Sequence, residues 1–298
     1  MTNGNRAQRP VVAGVDGSPS AMDATRWAAR QAARLGEPLR LLYVADLPPL
    51  NPHVAAPPPS YASAWLDSGR KWLSEAEDMA TDEVPELPVE TDVRLGQTSD
   101  TLIEESRGAA LLVLGTRGYG GFRRLLVGSV ASTVAAHAVC PVVVLPAGTA
   151  TVETGDVVVG ADGSALGVEA LGFGFDVASA KRARLVAVRA WHESLADAAW
   201  SGLPVRDELD KVTEQELRAL HADLRPWREK YPDVEVSEHV VRTGKPSDAL
   251  LDAAQRAQLI VVGSHGRGVV SGTLLGSTSQ ALLHTVTSCP VAIVRPKE

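Results

Sequence analysis

A chain of 298 residues with a formal net charge of −7 and 45% hydrophobic residues has the length for two domains of common size and the apolar content for a core in each. No run of Lys or Arg is long enough to track a nucleic-acid backbone, and no uninterrupted apolar stretch reaches a membrane span, so neither nucleic acid nor membrane is an expected partner. The polar start, Met1–Pro10, lacks the apolar core of a signal peptide, and Cys140 and Cys289 show no metal-ligand spacing, so a reduced cytoplasm with both thiols as buried apolar residues is expected.

Taken in order, Val11–Val15 predicts a strand that ends at Asp16. Ser18 followed by Pro19 predicts a capped helix whose apolar stripe is Ala21, Ala24, Ala28, Ala32 and Leu35. Leu39–Val44 predicts a second strand. Leu47–Ser60 is Pro-rich and predicts a loop, Trp65–Glu83 a helix, Val89–Leu95 a third strand and Ser99–Arg107 a helix with Asp100 in its first turn. Ala110–Leu114 predicts a buried fourth strand, Ser129–His137 a helix and Val142–Leu145 a fifth strand.

The order then starts again. Val157-Val-Val-Gly-Ala-Asp162-Gly-Ser164 matches Val11-Val-Ala-Gly-Val-Asp16-Gly-Ser18. Val241-Arg-Thr-Gly244 matches Val93-Arg-Leu-Gly96, and Cys289-Pro-Val matches Cys140-Pro-Val. Matching residues are offset by 146 to 149 positions, which marks a duplication of a whole domain. The second copy predicts Val157–Ala161, Leu185–Ala190, Val234–Val241, Leu259–Val262 and Val291–Arg295 as strands. Its helices are Ser164–Ala178, Asp207–Lys230, Ser247–Ala257 and Ser277–His284. The boundary falls in the small, polar Ala147–Gly155, giving domains 1–150 and 151–298. The alternation demands an α/β fold with a five-stranded parallel sheet, flanked by helices, in each copy.

Between the fourth strand and fourth helix the first copy carries Gly115, two residues, Gly118, nine residues, Gly128-Ser129. The second carries Gly263, two residues, Gly266, nine residues, Gly276-Ser277. Glycine lets a ligand approach the backbone, and a helix N-terminus offers free N–H groups to an anion such as phosphate. Ser129 and Ser277 are expected to cap their helices and touch that phosphate. The plainer reading is a loop that only turns the chain. Asp16, Asp162 and both glycine patterns fall at carboxyl ends of strands, where parallel sheets bind ligands.

These residues resemble the universal stress protein superfamily in its tandem, two-domain form, over roughly residues 10–146 and 155–296. The glycine pattern is similar to that of the ATP-binding branch. The resemblance implies a Rossmann-like fold, one ATP per domain with Mg²⁺ on the triphosphate, and a regulatory role in the stress response. It implies that Asp16 and Asp162 contact adenine, with Gly14, Val15, Gly160 and Ala161 just before them. Val44 and Ala190 would be the residues after strand two whose backbone meets the adenine edge. Gly115, Gly118, Gly128, Ser129 and Val130 would hold ribose and phosphate, as would Gly263, Gly266, Gly276, Ser277 and Thr278. The fifth strands, each followed by a proline, are expected to pair with one another as an intramolecular pseudo-dimer. A homodimer and an unidentified regulatory protein remain open as further partners.

No GxxxxGK[ST] loop is present, and no GxGxxG run follows the first strand, so P-loop and dinucleotide-binding motifs are excluded. The competing class is a slow ATP hydrolase or phosphotransfer enzyme, with His192 and His265 as candidate groups. His137 and His284 end the fourth helices, where a cation suits the helix C-terminus. The six tryptophans, Trp27, Trp65, Trp72, Trp191, Trp200 and Trp227, are read as packing residues.

Overall fold

The computed structural model describes residues 8–46, 59–118, 127–150, 154–192, 206–266 and 275–296. Most of the Leu47–Ser60 loop, Trp200, Arg123, Arg124 and Arg267 lie outside the described residues. The chain divides into two compact units, the second spanning Val152–Pro296.

In the first unit the elements run β1 (Val11–Gly14), α1 (Pro19–Leu35), β2 (Leu39–Ala45), α2 (Pro59–Glu83), β3 (Val89–Leu95), α3 (Thr98–Glu105), β4 (Leu111–Gly115), α4 (Ser129–His137) and β5 (Val142–Leu145). Every strand pair in it is parallel: β1 lies between β2 and β4, β3 borders β2, and β5 borders β4. The chain therefore winds outward from β1 to β3, then crosses back to β4 and winds the other way. Right-handed crossovers put α1 and α2, which pack together, on one face, and α3 and α4 on the other.

The second unit repeats this with β6 (Asp156–Gly160), α5 (Ala165–Lys181), β7 (Leu185–Trp191), α6 (Arg206–Lys230), β8 (Val236–Arg242), α7 (Pro246–Ala253), β9 (Ala257–Gly263), α8 (Ser277–Thr285) and β10 (Val291–Val294). Its strands are also all parallel, with β6 between β7 and β9, β8 bordering β7, and β10 bordering β9.

The central strands are apolar along their whole length because helices cover both faces. Val11, Val12, Ala13, Leu112 and Val113 are fully buried, as are Val157, Val158, Val159, Ile260 and Val261. The border strand β3 reads Val-Glu-Thr-Asp-Val-Arg-Leu and is half exposed. Ion pairs Arg40–Glu90, Arg94–Asp92 and Arg94–Glu105 run along it.

Helix starts follow their signals closely. Ser18 caps α1 by accepting the N–H of Ala21, with Pro19 in the first turn, and Ser164 caps α5 by accepting the N–H of Gly167. Gly36 closes α1 in the left-handed conformation. Three expectations need correction. Helix α2 begins at Pro59, ahead of Trp65, because proline is compatible with a first helical position. Helix α7 stops at Ala253, and a 3₁₀ turn, Ala254–Arg256, delivers Ala257 to β9 rather than to the helix. There Ala257 pairs with Asp156, and Gln258 donates to the Gly155 carbonyl at 2.7 Å, so tertiary pairing overrides the helical preference of the Ala-rich run. Leu35, placed on the apolar stripe of α1 by its spacing, is 47% exposed, and Leu217 of α6 is 43% exposed.

Candidate functional site

The reversal of winding puts the carboxyl ends of β1 and β4 side by side, and likewise those of β6 and β9. The N–H of Val15 donates to the Leu42 carbonyl at 2.9 Å, and that of Ala161 to the Val188 carbonyl at 2.9 Å. Val15 and Ala161 thus still belong to the ladder, and Asp16 and Asp162 are the first residues beyond it.

Each aspartate turns its own backbone. Oδ1 of Asp16 accepts the Ser18 N–H at 3.0 Å, and Oδ1 of Asp162 accepts the Ser164 N–H at 3.0 Å. The other carboxylate oxygen faces the glycine loop. A Cβ on Gly118 would lie 2.5 Å from Asp16 Oδ2, and one on Gly266 would lie 2.7 Å from Asp162 Oδ2. A side chain at either position would push the carboxylate beside it out of place.

The loop is closed by residues that the sequence reading did not single out. Thr116 donates its N–H to the Leu145 carbonyl, and its own carbonyl accepts the Gly128 N–H at 2.7 Å. Ser264 does the same, donating to the Val294 carbonyl and accepting from Gly276 at 2.7 Å. One residue thereby ties the end of the fifth strand and the start of the last helix to the end of the fourth strand. Only its position after Gly115 or Gly263 could have flagged it.

The N-caps of α4 and α8 are Gly128 and Gly276, neither with a side-chain cap bond, so Ser129 and Ser277 occupy the first helical position instead of capping. Both serine side chains are exposed. The N–H groups of Ser129, Val130 and their twins Ser277, Thr278 belong to the first turn, which a helix cannot satisfy from within. Among the described residues, a Cβ on Gly128 would meet nothing closer than the Thr116 carbonyl at 3.5 Å. Gly14 and Gly115 are different: their Cβ would strike Leu114 at 2.7 Å and Ser20 at 2.5 Å. Gly160 and Gly263 are less tightly confined: their Cβ would lie 3.1 Å from Val262 and 3.0 Å from Leu166. At these four positions the missing side chain leaves room for internal packing.

Val44 and Ala190 lie inside β2 and β7 rather than after them, paired with Arg94 and Val241. Successive residues of a parallel strand bond to alternate neighbours. Leu42 bonds toward β1 and Ala45 toward β3, accepting from Gly96, so the backbone of Val44 faces the side where β1 has already ended. Val188 bonds toward β6 and Trp191 toward β8, so Ala190 does likewise.

The walls of the two sites differ. Gly17, at φ 77°, sits under Trp72, whose ring a Cβ there would meet at 2.4 Å. Trp72 meets Tyr43 edge-on at 5.7 Å between centroids. Tyr43 is 3% exposed, and its hydroxyl has no hydrogen-bond partner among the described residues. Burial, reinforced by the charge of Asp16, raises its pKa above the ordinary phenol value. The matching residue, Arg189, is buried and paired with Glu216 at 2.7 Å and Asp223 at 3.1 Å.

His265 Nδ1 lies 3.2 Å from Ser264 Oγ within the second loop, and His192 is exposed just past β7. His137 Nδ1 meets the Thr133 carbonyl at 2.8 Å at the end of α4. Both cysteines are buried, and burial pushes the Cys289 thiol up to about 12. Trp27 is buried and Trp227 stacks on Phe175, but Trp65 is 38% exposed.

The sequence model of the Universal stress protein family matches this chain twice, over residues 8–146 and 154–295. The chain belongs to that family. A universal stress protein of Mycobacterium tuberculosis strain H37Rv is 38% identical over 301 residues, 97% of this chain and 98% of its own. One from Mycolicibacterium smegmatis is 36% identical over 297 residues, covering 96% of this chain and 97% of its own. Among solved structures, a universal stress protein from Archaeoglobus fulgidus superimposes with a TM-score of 0.68 at 20% identity, over 96% of both chains, which speaks for the fold. The tandem organisation therefore extends along the whole length of these universal stress protein relatives. Among the described residues no helix is long and apolar enough to cross a membrane, and no group of three His, Cys, Asp or Glu is arranged to hold a metal ion.

Proposed function

We propose that this universal stress protein binds ATP at one site in each of two domains, 1–150 and 151–298, and acts in the cytoplasm as a regulatory stress-response protein. The observation that carries this reading is the repeated convergence of three groups at one strand end. They are a carboxylate (Asp16 or Asp162), a glycine backbone beside it (Gly118 or Gly266), and the N-terminus of a helix (α4 or α8). The donor set fits the ligand: helix N–H groups suit phosphates, and an ionised carboxylate suits the adenine amino group. The backbones of Val44 and Ala190 complete the base edge. Gly115, Gly128, Ser129 and Val130, with Gly263, Gly276, Ser277 and Thr278, form the ribose and phosphate side. Mg²⁺ would bind chiefly through the triphosphate.

The test is to purify the full chain without added nucleotide, denature it, and identify what is released by mass spectrometry. Calorimetry with Mg·ATP then follows. Two equivalents of ATP per chain are expected; binding of no adenine nucleotide would overturn the reading. Turnover measured on the same protein and on His265→Ala separates a regulatory binder from a slow hydrolase.

A further inference from the structure

The two loops are fastened differently. In the first unit, Ser18 Oγ and Ser20 Oγ, both at the N-terminus of α1, donate to the carbonyl of Arg117 at 2.9 and 2.7 Å. Ser20 is 2% exposed and Ser18 is 4% exposed. The fastened carbonyl belongs to the peptide that leads into Gly118, the glycine lying against Asp16. That peptide cannot rotate without breaking two part-buried hydrogen bonds. In the second unit the Ser164 hydroxyl turns instead to its own site carboxylate, Asp162 Oδ1, at 2.6 Å. The position of Ser20 is taken by Leu166, which carries no hydroxyl and packs against Gly263. A different hydroxyl, that of Ser279, holds the Gly263 carbonyl at 2.7 Å, at the strand end rather than at the glycine facing the carboxylate.

Resting on the ATP reading, we propose that Ser18 and Ser20 are positioning residues that hold the first loop in its ligand-ready form. The two sites consequently take nucleotide with unequal affinity, the first tighter. A loop fixed before binding loses less conformational freedom on binding.

The experiment uses the full chain and Mg·ATP. Calorimetry on the native protein should resolve two classes of site. Ser20→Ala should weaken the tighter class by about tenfold, the scale of one lost hydrogen bond, and leave the other unchanged. Ser20→Thr, which keeps the hydroxyl, should restore it, and Leu166→Ser should strengthen the weaker class. Amide hydrogen exchange without nucleotide supplies a readout that general destabilisation would not mimic. Exchange at the Arg117 amide, which donates to Ser20 Oγ at 3.4 Å, should rise in Ser20→Ala while exchange within α1 stays unchanged. Two sites of equal affinity in the native chain, or unaltered Arg117 exchange in Ser20→Ala, would overturn the inference. Absence of any ATP heat would instead remove the nucleotide reading, and the exchange measurement would still decide the positioning role.

Discussion

Asp16 and Gly118 lie in contact across the end of the first unit's sheet, so that a single added carbon on Gly118 would sit 2.5 Å from the carboxylate. The same relationship holds between Asp162 and Gly266. Gly118→Ala should therefore displace the Asp16 carboxylate and weaken nucleotide binding in the first unit by tenfold or more, on the order of one charged hydrogen bond. Gly266→Ala should act alone on the second. Calorimetry would show one of two equivalents lost in each variant; full stoichiometry at native affinity in Gly118→Ala would refute the contact's role.

Gly128 makes the complementary case. Its backbone is extended at φ −75°, and a methyl group there meets only the Thr116 carbonyl among the described residues, at ordinary contact distance. Gly128→Ala should fold with a loss of about 1 kcal/mol, the weaker N-cap preference of alanine. Gly128→Leu should also fold but exclude phosphate from the α4 N-terminus. Denaturation and ATP titration on the two variants should diverge; ATP binding by Gly128→Leu at native strength would place the phosphate elsewhere.

Base preference follows from the carboxylates. An ionised Asp16 or Asp162 accepts but does not donate, so the adenine amino group is matched and the guanine carbonyl is not. ATP should be preferred to GTP by about 1–3 kcal/mol. Competition titrations yielding equal affinities would show that neither aspartate reads the base.

Tyr43 predicts a pH effect. Its pKa is raised in the folded chain, by burial first and by Asp16 second, so the folded state holds the phenol proton beyond about pH 10, where the unfolded chain releases it. That contribution is complete below pH 10 and is lost as pH rises toward the folded value, because the unfolded chain then binds fewer protons. Tyr43→Phe should lose less stability between pH 9 and 11 than the native chain does. At neutral pH it should be no less stable, since the hydroxyl it removes is buried without a partner. Parallel stability curves for the two proteins would contradict this account.

The sequence by itself determined much of this protein. The offset between Asp16 and Asp162 marked the duplication, and apolar runs such as Leu111–Leu114 marked strands buried on both faces. Ser18-Pro19 and Ser164 marked helix starts that the structure reproduces. Each of these signals lies within a few neighbouring residues, where backbone preference and hydrophobic period are written directly. Only the tertiary structure decided that Gly128, not Ser129, caps α4, and that Thr116 links β5 to that cap. It alone lays Trp72 over Gly17, fastens Arg117 to Ser20, and leaves Leu35 and Leu217 exposed. Those outcomes join residues far apart in the chain, and strand order and helix placement set them. No local pattern encodes which side chain will stand opposite a given glycine until the sheet has brought the two together.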